Sequence, residues 1–559
     1  MVEDQVIQTC SQIIICLKFI FFLFLLVDAR EINAQKNILN KSPQYNATLT
    51  AGNILSWSFA EKQKDFKKIK DIINKTKENL TDLTSLKKAF FSSLIIGDWE
   101  QSLYFAKKIN LIEPENLFVN LVISSEYFLN EKYELARLQV KKIKNSDFVN
   151  NYNEIIIVWM NLSEDQNKVI SNFLETRECI PIKCLHQALI TKVFTNNIEA
   201  RKKFDNLMLT GMESLRLSEI LIEFYNEINE ENIVKKIIID IGDNFADFNK
   251  IEINTKNFDS IINSSNGLAE LYFNIAGWFY EKNMLEFAAY FSNISLKLRP
   301  NFKAQKILLA SIYEKFNLNE LALDSLKGIN DANLYYLKSE KLKVQIFNKT
   351  QNNIELLNTL EKLVITFPKN QDLKILLGKS LHNQKRYSEA INYYTFVINH
   401  NLKTIDNNWD LYFSRGMSFE RSKKWKEAEQ DLLKALEINP QSAYVLNYLG
   451  YSWLERGINF EKALEYVTLA SEILPDDGYI IDSLGWAYFL LGDYEKAIKI
   501  LEYALKILPM DPTLNDHLGD AYWKVGRKEE ALSQWKRVLI FKSDYEYKDN
   551  IDKKIISGL

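Results

Sequence analysis

Histidine and cysteine are scarce in this chain: four of each occur in 559 residues, and His186, His382, His400 and His517 stand singly. No HExxH, no GxSxG and no glycine-rich phosphate loop occurs, so none of the common hydrolase or nucleotide-binding constellations is written here. An excess of one charge is missing too. Lys and Arg number 70 against 73 Asp and Glu, a net charge of −3, which gives a nucleic-acid backbone no basic surface to pair with. Stretches patterned as βαβ units are absent, which leaves no room for a separate α/β catalytic domain. Hydrophobic residues make up 47% and charged residues 26%, the composition of an ordered protein.

The small number of Gly and Pro residues is offset by their regularity. Gly416, Gly450, Gly485 and Gly519 recur at spacings of 34, 35 and 34, and Ala428, Ala463, Ala497 and Ala531 at 35, 34 and 34. Pro440, Pro475 and Pro509 keep the same beat. A fixed period of this length with small residues at fixed offsets predicts stacked helical hairpins, an all-α solenoid. Within one unit, Ile481, Leu484, Tyr488 and Leu491 fall at helical spacing, Gly492-Asp493 interrupts, and Tyr494, Ala497, Leu501, Ala504 and Leu505 resume. Gly485 and Ala497 are expected where the two helices cross, because small residues let the axes approach to about 8–10 Å. Gly492 suits the left-handed turn between the helices, and Pro509 ends the second.

The same unit, more diverged, is legible upstream. Asp65-Phe66 and Gly97-Asp98-Trp99-Glu100 match Asp493-Tyr494, and Tyr127, Ala136 and Ile143 mark a further unit, so residues 51–145 read as repeats. The period fades over 146–255, where helical apolar patterns continue without Gly or Pro to hold a register. It returns over 256–400 with Ala276, Phe279, Ala288, Pro300, Ala310, Tyr313, Ala322, Pro368, Gly378 and Ala390, and is most regular over 401–545. Roughly eleven to fourteen units are expected, with a longer loop around His400 to Asn407. The charged tail 546–559 reads as a polar cap on the last hairpin.

Residues 1–34 differ in kind. Phe19 to Val27 is a nine-residue apolar run behind Lys18, followed by small residues at Ala29 and Ala34. It reads as a signal peptide, or as an anchor over residues 13–27, ahead of a flexible polar leader at 35–50. A buried first helix of a cytoplasmic protein is the alternative. Cleavage would remove Cys10 and Cys16 and leave Cys179 and Cys184, which suit a local disulfide in an oxidising compartment or two free thiols; a metal site lacks ligands.

Gly485, Tyr488, Ala497, Ala504 and Pro509 together resemble the tetratricopeptide repeat, as do Gly450, Trp453, Ala470 and Pro475 with one inserted residue, and Gly519, Tyr522 and Ala531. The resemblance implies a right-handed superhelix whose first helices line a concave groove for protein or peptide partners, with neither catalysis nor a cofactor. It places in that groove Tyr444, Asn447, Tyr448 and Tyr451, then Tyr479, Asp482, Ser483 and Trp486, then Asp516, His517 and Asp520. Aromatic rings beside carboxylates suit an extended peptide bearing Lys, Arg or a free amino terminus. The Lys and Asn set by which chaperone-type members clamp a terminal carboxylate is missing from these positions. LNYLGYSWLERG, PDDGYIIDSLGWAYFLLGDYEKA and DPTLNDHLGDAYWKVGR are similar to an exported Gram-negative subfamily. That subfamily includes the lipoprotein adaptor of a periplasmic carboxyl-terminal processing protease, although the lipidated Cys is missing here. The implied role is an envelope adaptor for such a protease and its substrates, with a scaffold for cell-wall or outer-membrane assembly as the alternative and a glycosyltransferase targeting arm as a more distant one.

Overall fold

A computed structural model describes residues 51–144, 147–162, 167–175, 181–208, 214–244, 258–330, 333–400, 408–541 and 548–559. The expected signal or anchor, the leader, Cys179 and most of the loop after His400 lie outside the described residues. Every regular element among the described residues is a helix. None of these helices is long and apolar enough to cross a membrane. The chain divides into two units, residues 1–350 and 351–559.

The C-terminal unit opens on the helix Asn353–Thr366 and continues as five antiparallel pairs: Gln371–Asn383 with Tyr387–His400, Trp409–Arg421 with Trp425–Ile438, Ala443–Glu455 with Phe460–Ile473, Gly478–Leu490 with Tyr494–Ile507, and Pro512–Lys524 with Lys528–Phe541. The helix Lys548–Ser557 packs on the last of these. Several of these pairs are delimited by the same local chemistry. Side-chain oxygens of Asn370, Asp477, Asp493 and Asp511 accept the free N–H groups of the turns they precede, a cap worth about 1 kcal/mol. The second helices end just before Pro440, Pro475 and Pro509, which cannot extend the ladder.

Gly492 takes φ +82°, the left-handed turn expected of it. The same slot, two residues before the second helix, is left-handed at Gly97 and Gly526 and equally at Lys64, Glu131, Asn229, Asn283, Asn317, Gln351, Lys385 and Lys423. In the pair with the inserted residue, both Gly457 (φ +66°) and Asn459 (φ +52°) are left-handed, so the extra residue is absorbed in the turn.

Ala428, Ala463, Ala497 and Ala531 are fully buried, and little room is left for a side chain at the glycines that face their helices. A Cβ on Gly450 would lie 2.9 Å from the Ala463 carbonyl oxygen, and one on Gly416 3.3 Å from that of Ala428. At Gly485 the close neighbour is Leu501, at 2.7 Å, one turn beyond Ala497, and at Gly519 it is the Trp535 indole, at 2.4 Å.

Among its described residues the N-terminal unit contains eight packed pairs followed by the helix Tyr336–Lys349. Three of the pairs, from Asp147 to Asn244, fall where the period fades. The Trp159 indole of this region is fully buried against Gly267 of the later helix Ser264–Glu281, where a Cβ would come within 2.3 Å of it.

This unit departs from nearest-neighbour stacking. The helix Leu285–Leu298 packs against Leu83–Ile95 and Leu117–Leu129, about 200 residues earlier. Asn293 Nδ2 donates to the carbonyls of Leu94 and Ile95, each at 2.9 Å, and Tyr313 Oη donates to Ile95 O at 2.9 Å. Those are carbonyls at the end of a helix, which have no partner within it. Phe91, Phe118, Phe287, Tyr290 and Phe291 interlock around this contact, and Phe66 meets Phe316. Stacking in residues 51–350 is therefore not between neighbours alone: repeats distant in sequence share one aromatic core.

A second fastener is ionic. Arg216, Glu219 and Glu270 are almost wholly buried. Arg216 bonds both oxygens of Glu270 (2.7–3.3 Å), Glu219 Oε2 at 2.6 Å and the Asp259 carbonyl at 2.9 Å. Tyr335 Oη donates to Glu219 at 2.6 Å, and Lys303 bonds Asp259. Five helical or flanking segments are tied at one point.

Candidate functional site

Three successive first helices of the C-terminal unit, Ala443–Glu455, Gly478–Leu490 and Pro512–Lys524, carry all the residues expected to bind a partner, and Trp409–Arg421 precedes them. Adjacent first helices are joined by a ladder of ring-to-carboxylate contacts. Tyr448 Oη donates to Glu420 Oε2 at 3.2 Å, and Arg456 holds the other Glu420 oxygen at 2.7 Å. Trp486 Nε1 donates to Glu455 at 2.7 Å. His517 Nδ1 lies 2.9 Å from Asp482 Oδ1, and its ring stacks on Trp486, which stacks in turn on Phe489.

The last rung comes from outside the hairpins. Lys554, on the helix Lys548–Ser557, places its ammonium 2.6 Å from Asp516 Oδ1 and 2.8 Å from Asp520 Oδ2. Asp520 also accepts Trp535 Nε1 at 3.0 Å. The carboxylates expected to receive a partner's cation are thus already neutralised by the chain itself. Tyr448, Asp482, Trp486, Asp516, His517 and Asp520 all serve the register between repeats.

Electrostatics follow this geometry. Burial opposes the His517 imidazolium, but Asp482, hydrogen-bonded to it, and nearby Asp516 and Asp520 hold its pKa above the usual histidine range. Burial and the Asp516 carboxylate push the Asp520 pKa up, against Lys554. Burial, then Glu420, raises that of the Tyr448 phenol.

The other expected residues are neutral, and two of them present largely exposed rings. Tyr444 and Tyr479, 35 residues apart and at equivalent positions, are 55% and 59% exposed. Asn447, half-buried one turn after Tyr444, has a buried Oδ1 without a hydrogen-bond partner. Tyr451 is half-buried, and Ser483 donates to the Tyr479 carbonyl. Glu420, Glu455 and Lys554 were not singled out from the sequence. The two glutamates follow the small residue by four and five positions, one turn further along the same face, and that offset is the signal that could have found them.

Among the described residues no group of three His, Cys, Asp or Glu side chains could hold a metal ion. Cys184 is buried and disulfide-bonded, while Cys179 lies outside the described residues. His186 is fully buried and accepts from Trp159 Nε1 at 3.0 Å; desolvation alone lowers its pKa to about 3, a core histidine.

Comparison with known proteins agrees with this architecture in part of the chain. Residues 375–443 match the family described as tetratricopeptide repeat, and residues 485–526 that described as TPR repeat. No curated protein matches the sequence. The solved structures that it is similar to include the APC/C hetero-tetramer Cut9–Hcn1, at 13% identity over 86% of this chain and 97% of that one, with a TM-score of 0.38. A thermophilic TPR protein of Thermus thermophilus is similar at 20% identity, over 34% of this chain and 98% of that one, with a TM-score of 0.29. MamA from Desulfovibrio magneticus is similar at 18% identity, over 32% of this chain and 97% of that one, with a TM-score of 0.28.

Proposed function

We propose that this chain, with tetratricopeptide repeats at residues 375–443 and 485–526, is a non-catalytic protein-binding scaffold of the bacterial envelope. It holds an extended segment of a partner along the first helices of its C-terminal unit. The carrying observation is the pair Tyr444 and Tyr479, largely exposed on equivalent turns. Rings supply contact area at low entropic cost.

The apolar run Phe19 to Val27 supports export to the periplasm, either as a cleaved soluble protein or anchored by residues 13–27. The finer role is an adaptor that presents substrates to a carboxyl-terminal processing protease, supported by the C-terminal repeat motifs quoted above. Affinity capture from crosslinked envelope, with the native chain tagged at Leu559, tests both levels. Recovery of such a protease, with a mature N-terminus near Arg30 or Gln35, is the expected result. Wall-assembly proteins with an intact apolar run would replace the protease reading with that of an anchored assembly scaffold, and recovery of no envelope protein would overturn the proposal.

A further inference from the structure

The open end of the last hairpin is covered by the chain's own helix Lys548–Ser557, whose Lys554 meets Asp516 as His517 meets Asp482 one hairpin upstream, and the manner of occupation defines what the site selects. Asp516 and Asp520 sit one turn apart on Pro512–Lys524, with side chains 14% and 6% exposed, and Lys554 lies between them above the Trp535 ring. Without that ammonium, two neighbouring carboxylates would be left buried and uncompensated, so the site requires a cation. Three residues before Lys554, Ile551 is fully buried with Leu518, Ala521, Tyr522, Trp535 and Val538, and Ile555 packs beside it. Gly558 closes the helix against the Trp523 indole with φ +79°, where a Cβ would lie 1.9 Å from the ring.

One hairpin upstream the same position is filled from within the array. Asp482, 34 residues before Asp516, is held by His517 of the next first helix. That histidine is fixed because its helix is packed on both sides. Lys554 is carried instead by a ten-residue helix that, among the described residues, packs chiefly on the last hairpin and is shorter than the ~12–15 residues an isolated helix needs to be even marginally stable. Its helical order therefore depends on docking.

We propose that Lys548–Ser557 is a resident, exchangeable occupant of this site, and that a partner helix presenting a lysine three residues after a branched aliphatic side chain takes its place. The inference rests on the scaffold reading above. It adds that the last hairpin is closed in the free protein and opens by exchange of like for like.

The test uses a fluorescein-labelled peptide of residues 544–559 and the full chain, native and with Ile551→Asp and Lys554→Ala, followed by fluorescence anisotropy. The opened chain should bind the peptide at least tenfold more tightly than the native chain, and a peptide carrying Lys554→Ala should lose that gain. Equal affinities, with helical circular dichroism retained, would overturn the proposal. Should the double variant fail to fold, hydrogen exchange on the native chain decides: amides of 548–557 must exchange at least tenfold faster than those of Lys528–Phe541, and equal protection would mean a permanent cap. Peptide binding in trans, with no partner captured from envelope, would leave cis occupancy standing while the scaffold reading fell.

Discussion

His517 lies flat on Trp486, with ring centroids 4.0 Å apart and planes 15° from parallel, and its Nδ1 is 2.9 Å from Asp482. One histidine thereby joins two consecutive hairpins through a stack and an ion pair. Its pKa is raised in the fold, so the stabilisation it gives is fully present below the unfolded value of about 6.5 and is lost as pH rises through the higher folded value. The melting temperature of the native chain should exceed that of His517→Gln most near pH 6. The gap should narrow steadily toward pH 9, and a gap independent of pH would refute the ion pair.

Two glycines test the crossing geometry in opposite directions. Gly450→Ala places a methyl 2.9 Å from the Ala463 carbonyl and from Val467, and overpacking of this kind costs about 1–3 kcal/mol. Gly277→Ala, inside Ser264–Glu281, meets nothing within 4 Å and should stabilise by about 0.5–1 kcal/mol through helix propensity. Denaturant unfolding of the two variants should move in opposite senses.

Arg216→Met removes the cation from a site where Glu219 and Glu270 are both fully buried. Breaking one side of a buried ion pair costs about 3–5 kcal/mol. The N-terminal unit should therefore unfold first in this variant, seen as early loss of hydrogen-exchange protection in Leu215–Glu227 and Ser264–Glu281.

The fold was legible where its cause is local. Gly492, the Asp493 cap and Pro509 each act through their own backbone chemistry, so their recurrence could be counted. The left-handed turns at Lys64, Glu131, Lys385 and Lys423 were not legible, because the hairpin imposes that conformation on side chains that do not prefer it. Nor was the closure of the N-terminal unit, since Asn293 reaches carbonyls about 200 residues away and no periodicity encodes that contact. On the first helices the interacting side chains could be named from the sequence and their partners could not: Asp520 was read as open to a ligand, and Lys554, from a tail read only as polar, pairs with it.

Because the polar groove residues serve the array, binding and stability should separate by residue. Tyr444→Ala with Tyr479→Ala removes two largely exposed rings and should weaken partner capture at least tenfold, with the unfolding free energy changed by less than about 0.5 kcal/mol. Trp486→Ala, which deletes the bond to Glu455 and the stack on His517, should instead lower the melting temperature. Loss of capture only with Trp486 would move the contact surface off the tyrosines.

The two units should respond oppositely to removal of one repeat. Deleting Gly478 to Asp511, 34 residues, brings Asp477 before Pro512, where it can take over the cap that Asp511 makes to Thr513 and Leu514. His517 would then follow Asn447 instead of Asp482. A folded, shorter helical protein is expected, without the His517-dependent pH effect. Deleting Leu83 to Asn116 is equal in length and preserves the cap chemistry through Asp82. It also removes the Leu94 and Ile95 carbonyls, which leaves the Tyr313 hydroxyl buried without its acceptor and the Asn293 amide with only Ala289 O and Tyr313 Oη. An orphaned buried donor costs about 1–3 kcal/mol, and Phe90 and Phe91 leave the shared core. This second deletion should abolish cooperative unfolding of residues 51–350, measured by circular dichroism and limited proteolysis, and a cooperative, protease-resistant product would show that the N-terminal unit also stacks by nearest neighbours alone.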